Sequence, residues 1–247
     1  MHQADFAIII PVYNHEQRIK EVIMQALSLG FPIFVVDDGS TDQTSEIIDR
    51  ISGITVLRHD KNRGKGAALL SGFAAAVKTC KWAISIDADG QHNPADALNL
   101  IQAVPSEQRC IVIGRREGMN SELVPWTSQF GRKFSNFWVW ISGGPYLADS
   151  QSGFRVYPIP ESLHLKVIAR RFQFEVEILV KAKQQHIQVL EVPVQVIYQK
   201  GAERISHFRP FKDFMRNSET FSRLIISRIF RGIFRLLTFS AVGKGKK

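Results

Sequence analysis

The sequence predicts an α/β fold, a mostly parallel sheet flanked by helices, with an amphipathic helix at the C-terminal side. Three observations predict it. Short apolar runs rich in Ile, Val, Phe and Trp alternate with amphipathic stretches through the first two-thirds of the chain. The connections between them are short, as in strand–helix–strand crossovers that cover a sheet on both faces. The excess positive charge is confined to the last fifth of the chain, apart from this alternation.

Strands are predicted at 6–12, 33–37, 54–58, 82–87 and 110–113, each apolar and each followed by polar or Gly-containing residues. Helices are predicted at 15–29, 42–51, 65–79 and 94–103. Ser40 and Asp42 supply a start signal for the second, and Asn93-Pro94 opens the last. In such sheets ligands sit beyond the carboxyl ends of the strands, so the loops at 37–42, 59–65, 87–93 and 114–124 are expected to line one cleft. After residue 125 the rhythm changes. An aromatic helix (125–142) leads through Gly143-Gly-Pro145 to a short strand near 153–157, helices at 160–169 and 174–185, a strand at 187–198 and a loop at 199–207. Residues 1–208 are read as one unit, and 209–247 as a basic amphipathic helix with a flexible tail.

The 247 residues are 45% hydrophobic and 22% charged, which excludes a disordered tail, a collagen-like fibre and a disulfide-stapled miniprotein. Cys80 and Cys110 lack metal-ligand spacing and read as free thiols in a reducing compartment. Acidic Asp5 precedes a short apolar run, so no export signal is expected, and no stretch is long enough for a membrane span. From Lys200 onward twelve Lys and Arg face three acids. That segment carries the whole net charge of +9, and residues 1–199 are neutral. Within 209–239, Arg228, Arg231 and Arg235 fall in an arc of roughly 60° opposite Phe221, Ile225, Ile229, Ile233 and Leu236. One reading is a helix lying on acidic lipid; the other is a helix docked on the body or on a partner chain.

The sharpest local signal is Ile84-Ser-Ile-Asp87-Ala-Asp89-Gly-Gln-His92, two carboxylates at the end of a buried strand. Desolvating two like charges side by side is costly unless a cation joins them, and a hard divalent ion with oxygen ligands meets the need, with Gln91 as a third oxygen. Three further polar sites stand at element ends: Pro11-Val-Tyr13-Asn14, Val35-Val36-Asp37-Asp38-Gly39-Ser40-Thr41-Asp42, and Asn62-Arg-Gly64-Lys65-Gly66 opening a helix, where N–H groups and a lysine can meet an anion.

Together these segments resemble the nucleotide-sugar-binding half of the family 2 glycosyltransferases, which have the GT-A fold. Asp149-Ser-Gln151-Ser152-Gly153-Phe154-Arg155 resembles the D-x-x-S-G-F-R segment of dolichyl-phosphate mannose synthases and bacterial polyprenyl-phosphate glycosyltransferases. Arg171-Phe-Gln-Phe-Glu175 and Arg204-Ile-Ser206-His207 fit that subgroup too, and the likeness spans roughly residues 6–215. The resemblance implies that Pro11, Tyr13 and Asp38 frame the donor base, with Glu16 as a ribose or base contact and Lys65 near the donor. It implies that Asp87, Asp89 and Gln91 hold the metal against the diphosphate, with Ala88 beside the donor. Arg115, Arg116 and Arg132 would face donor or acceptor phosphates. Ser152 and Arg155 would belong to the acceptor region, and Arg204, Ser206 and His207 to a flap. The chain departs from the family where Asn14 is followed by His15 before Glu16, and where His207 stands for the usual lysine.

The implied chemistry is inverting, metal-dependent transfer of a sugar from a nucleotide-diphosphate donor, with Mg²⁺ or Mn²⁺ as cofactor and Asp89, Arg132, Asp149 and Arg155 as catalytic candidates. A hydroxyl acceptor needs a base such as Asp149, whereas a phosphate monoester is already an anion. The basic tail and the Ser-Gly-Phe-Arg segment point to a polyprenyl or dolichyl phosphate, met by a peripheral protein on the cytoplasmic face of an anionic membrane surface. A membrane-embedded partner or a second copy of the chain is a further candidate partner. The alternatives are a hydroxyl acceptor and a non-catalytic membrane-binding module. A nucleotidyltransferase would carry a Gly-rich loop after the first strand, a dinucleotide oxidoreductase a G-x-G-x-x-G, and a nucleic-acid binder a recognisable module; none is present.

Overall fold

Strand β1 (Phe6–Val12) is entirely buried because both of its faces are covered. Its even-numbered residues Phe6, Ile8, Ile10 and Val12 enter one core layer, and Ala7 and Ile9 enter the other. In this computed structural model residues 3–118, 126–196 and 218–230 are described. The sheet has seven strands in the order β3-β2-β1-β4-β6-β5-β7. They are β1, β2 (Ile33–Asp37), β3 (Thr55–Arg58), β4 (Trp82–Ser85), β5 (Cys110–Arg116), β6 (Arg155–Pro158) and β7 (Gln188–Val194). All pairings are parallel except those of β6, which runs antiparallel to both β4 and β5. The expected mostly parallel α/β sheet is therefore what the chain forms.

Helices α1 (Ile19–Leu27), α2 (Thr44–Asp49) and α4 (Ala97–Gln102) cover the face that includes Ile8 and Ile10. Helices α3 (Lys65–Ala76), α6 (Ile159–His164) and α7 (Phe174–Gln184) cover the face that includes Ile9. A third apolar cluster joins α5 (Trp126–Ile141) to α7 and to the helical residues 218–230, through Val139, Val176, Val180, Phe221 and Leu224.

Several boundaries differ from the sequence reading, each for a physical reason. The first helix begins at Ile19, not 15, because Asn14 takes a left-handed φ of 54° and residues 14–16 are tied to the β2–α2 loop. The helix expected at 160–169 ends at His164. Lys166 turns left-handed at φ 50°, and the N–H groups of Ile168 and Ala169 go to the Glu177 carboxylate. β5 runs on to Arg116 because β7 pairs with it along its whole length. β7 ends at Val194, after which Val196 bridges to His92; residues 197–198 of the predicted strand lie outside the described residues.

This topology sets the position of the site. β1 has β2 on one side and β4 on the other, so the strand order reverses there, and a crevice opens beyond the carboxyl ends of β1, β2 and β4. Antiparallel β6 starts at that same edge, with Arg155 in register with Ser85 and Ile113, so residues 149–154 enter the crevice from the opposite chain direction.

Candidate active site

The acidic motif begins where β4 stops. Asp87, Asp89 and Gln91 are partly exposed, while Ala88 and His92 between and beyond them are buried. Asp89 folds the turn by accepting the N–H of Gln91 at 3.0 Å. His92 is packed 5.2 Å from the ring of Phe154, and its Nδ1 is buried with no partner among the described residues. Burial pushes its pKa down to about 4, against the pull of Asp87, so it is neutral near pH 7.

Lys65, at the first position of α3, reaches across the crevice. Its Nζ lies 2.5 Å from Asp87 Oδ1 and 2.5 Å from Glu175 Oε1, the latter on the first turn of α7. Burial would lower the lysine pKa and raise that of Asp87. Their mutual attraction, with Glu175 acting on the lysine, overcomes both effects, so the lysine is raised and the aspartate lowered, and both stay charged. Gly153 presses on this pair: a Cβ there would overlap Lys65 Nζ and stand 2.5 Å from Asp87 Oδ2. A glycine at this point of the Ser-Gly-Phe-Arg segment leaves room for the ion pair, which a side chain would have to push aside. Ser85 Oγ fastens the same residue by donating to Gly153 O at 2.5 Å.

Asp38, expected at the donor base, is almost sealed. Its Oδ1 accepts Arg63 N at 2.9 Å and lies 2.6 Å from His59 Nδ1, and its Oδ2 accepts Gly64 N at 2.7 Å. His59 Nε2 lies 2.9 Å from Ser71 Oγ. The amino end of α3, expected to meet a ligand anion, meets Asp38 instead, and Gly64 supplies the φ of 101° that this turn requires. Glu16 is likewise engaged, accepting Gln43 N at 2.9 Å through Oε2. Pro11 is buried in β1, and Tyr13 is half-buried just after that strand.

The arginines expected to face phosphates divide into two kinds. Arg116 grips Asp149 with two parallel hydrogen bonds, Nε to Oδ2 at 2.7 Å and Nη2 to Oδ1 at 2.9 Å, and its N–H adds a third at 3.2 Å. Asp149 is fully buried. Burial would raise its pKa, but Arg116 overcomes this and holds the carboxyl below the usual range. Glu191 on β7 supports the turn by accepting Ala148 N at 3.0 Å and Asp149 N at 2.8 Å. Arg155 is fully buried and donates to three carbonyls, Ser152 O at 2.6 Å, Glu175 O at 2.8 Å and Ser150 O at 2.8 Å. It braces the 149–155 segment, in which Arg116 and not Arg155 is the arginine on Asp149. Arg115 is exposed enough to meet solvent and lies 3.8 Å from Glu117. Arg132, on α5 close enough to act on Asp149 electrostatically, keeps a buried Nε with no partner among the described residues. Ser152 Oγ is also buried without one. Arg204, Ser206 and His207 lie outside the described residues.

The donor set at the rim fits a hard divalent cation. Asp87, Asp89 and Gln91 supply oxygens only; among the described residues no group of three or more His, Cys, Asp or Glu is placed to hold a metal ion, so the rim's donors are two carboxylates and an amide. Two carboxylates and an amide leave coordination positions for phosphate oxygens. Sequence reasoning missed the parts of the site that span long separations: Glu175 on Lys65, Arg116 on Asp149, His59 on Asp38 and Glu191 on the 148–149 turn. Glu175 alone of these carried a signal, as the last residue of the Arg171-Phe-Gln-Phe-Glu175 segment and an acid in the first turn of a predicted helix.

The chain is similar to known proteins. The Glycosyl transferase family 2 domain model matches residues 7–160. A UDP-N-acetylglucosamine–dolichyl-phosphate N-acetylglucosaminyltransferase of Methanococcus voltae is 31% identical over 216 residues, covering 77% of this chain and 85% of that one. The dolichyl-phosphate beta-glucosyltransferase of Homo sapiens is 28% identical over 234 residues, covering 81% and 69%. Among solved structures, GalNAc-T7 with UDP, GalNAc and Mn²⁺ superposes with a TM-score of 0.52 at 14% identity, over 87% of this chain and 48% of that one.

Proposed function

This chain belongs to glycosyl transferase family 2, and from that premise we propose that it moves a hexosyl group from a nucleotide-diphosphate donor onto a lipid phosphate at a membrane surface, with inversion at the anomeric carbon. The observation that carries the choice of acceptor is Asp149. A hydroxyl acceptor requires a base that can receive its proton, and this carboxylate is sealed, paired through both oxygens and held in its anionic form by Arg116. A phosphate monoester needs no such base. The dolichyl-phosphate transferases among the relatives support the same acceptor.

In this reading Asp87, Asp89 and Gln91 would hold Mg²⁺ or Mn²⁺, which when bound neutralises charge on the departing diphosphate. Pro11 and Tyr13 border the base, and Lys65 fixes Asp87. Arg132, with its unused Nε, and the exposed Arg115 are the cations available to phosphate oxygens. An acceptor phosphate oxygen forms the new bond to the anomeric carbon as the bond to the donor diphosphate breaks, and the electron pair leaves with the nucleoside diphosphate. Arg116 and Arg155 contribute by shaping the 149–155 turn.

Attachment to the bilayer is supported by an exposed aromatic row on α5. Phe130, Phe137 and Trp140 lie on one side of the helix, each about half exposed or more, and Ile229 and Phe230 are exposed on the neighbouring helical residues. No helix among the described residues is long and apolar enough to cross a membrane. Arg228 Nη1 donates to Ile141 O at 2.5 Å, which ties the helical residues 218–230 to the body. Arg231 and Arg235 lie outside the described residues. Cys80 and Cys110 are buried and free, in keeping with the cytoplasmic face.

The test is transfer from labelled UDP- and GDP-sugars, with Mg²⁺ or Mn²⁺, to polyprenyl phosphate and to the corresponding polyprenol. Label should enter the organic phase with the phosphate alone. Transfer to the alcohol would overturn the acceptor assignment, and transfer undiminished by a chelator would overturn the cation.

A further inference from the structure

Glu175 has no part in the reaction as drawn, yet its side chain is nearly buried and is aimed at the centre of the site. Its Oε1 accepts Lys65 Nζ at 2.5 Å, across 110 residues of chain, while its own carbonyl accepts Arg155 Nη1 at 2.8 Å. Lys65 therefore stands between two carboxylates at equal distance, Asp87 on the rim and Glu175 behind it. A lysine facing Asp87 alone would cancel its charge and turn it from a cation ligand into one half of an ion pair. With Glu175 present, the three side chains carry a net charge of −1, and Asp87 meets the lysine through Oδ1.

We propose that Glu175 is a positioning residue whose charge offsets Lys65, so that Lys65 orients Asp87 without consuming its capacity to hold a divalent cation. Lys65 is the rigid strut: it ties the amino end of α3 to the acidic turn, and Gly153 closes over the pair. Glu175 is the counter-charge that keeps the strut from acting as an internal competitor. Attraction between a divalent ion and this trio depends on their summed charge, which makes the proposal separable from a packing role. The inference rests on the reading of the rim as a cation site.

The experiment is an electron-paramagnetic-resonance titration of Mn²⁺ into the full chain, alone and with UDP or GDP, with circular dichroism on each variant. Glu175→Gln keeps the shape and an acceptor for Lys65 but brings the trio to zero charge, and Mn²⁺ binding should weaken by about tenfold. Lys65→Met brings the trio to −2 and should leave Mn²⁺ bound at least as tightly as in the wild type. The double variant Lys65→Met/Glu175→Gln returns to −1 and should recover Mn²⁺ affinity to within about twofold of the wild type. A packing role predicts that both single changes weaken binding and that the double change is worse than either; that result overturns the proposal, as does wild-type affinity in Glu175→Gln. Should Glu175→Gln fail to fold, weaker binding by Lys65→Met is the overturning result and tighter binding the supporting one. A wild-type chain that binds no Mn²⁺ under any condition removes the cation from the functional reading and this inference with it. A chain that binds Mn²⁺ with the predicted variant pattern, yet transfers no sugar to polyprenyl phosphate, removes only the acceptor assignment.

Discussion

Two strands of the sheet end in a pair of acids, and the two pairs have opposite fates. After β2, Asp37 accepts Ser40 N at 2.9 Å and the Ser45 hydroxyl, and Asp38 takes Arg63 N and Gly64 N. Both are almost fully buried. After β4, Asp87 meets a lysine side chain and Asp89 accepts the turn N–H of Gln91, and both remain partly exposed. An acid engaged by several backbone N–H groups is fixed as part of the chain path, because releasing it would orphan those donors. An acid held by a side chain can be re-partnered without moving the backbone. The same two letters in sequence thus yield a staple in one place and a ligand-ready rim in the other.

The largest expected effect falls on the rim. Asp89→Ala should lower sugar transfer by about a thousandfold, with a thermal midpoint near that of the wild type. Loss of folding instead would erase the distinction drawn above. Next is the staple. Asp38→Ala orphans two N–H groups and the His59 ring, and should cost about 2–4 kcal/mol in urea unfolding. If Asp38→Ala left stability untouched and raised only the donor KM, Asp38 would be a base contact after all.

Glu177 on α7 extends the comparison, since it too is fully buried and accepts the N–H groups of Ile168 and Ala169, together with Lys181 and Arg223. Burial would raise its pKa, but these donors and Lys181 bring it below the usual carboxylate value. Its contribution to stability is therefore complete above the unfolded pKa of about 4.3 and is lost as pH falls through the lower folded value. Glu177→Gln should cost about 2 kcal/mol at pH 7 and flatten the acid limb of a stability–pH curve between about pH 3 and 5. The smallest effect is expected from Gly153→Ala. The added methyl would displace Lys65 and Asp87 from each other, lowering transfer about tenfold, with roughly 1 kcal/mol of stability lost.

Most of the sheet was legible because its signal is local. A buried parallel strand is an apolar run, and the alternation of runs with amphipathic stretches places β1 to β5 and α1 to α5 within a few residues. Strand direction is not local. β6 reads like any short apolar segment, and only its register with Ser85 and Ile113 reveals that it runs backwards. The stop at Lys166 was equally hidden, since Glu177, several residues onward, claims the N–H groups that a longer helix would have used. Within the site, the acids at strand ends were legible because a charged group after a buried strand must emerge at its edge. Their partners were not. Asp149 is met by Arg116, which the fold delivers from 33 residues away. The resemblance put Asp38 at the donor base, and nothing in its neighbours announces that Arg63 and Gly64 fold back onto it.

The helical residues 218–230 are fastened to the body at both greasy and charged points: Phe221 and Leu224 fill a socket lined by Val139, Val176 and Val180, and Arg223 meets Glu177 at 2.8 Å. A shortened chain ending near residue 208 would therefore be no clean excision. It would uncover that socket, strip Glu177 of a counter-ion and release one side of the helix whose first turn steadies Lys65, so trimming for convenience would damage the chemistry at a distance.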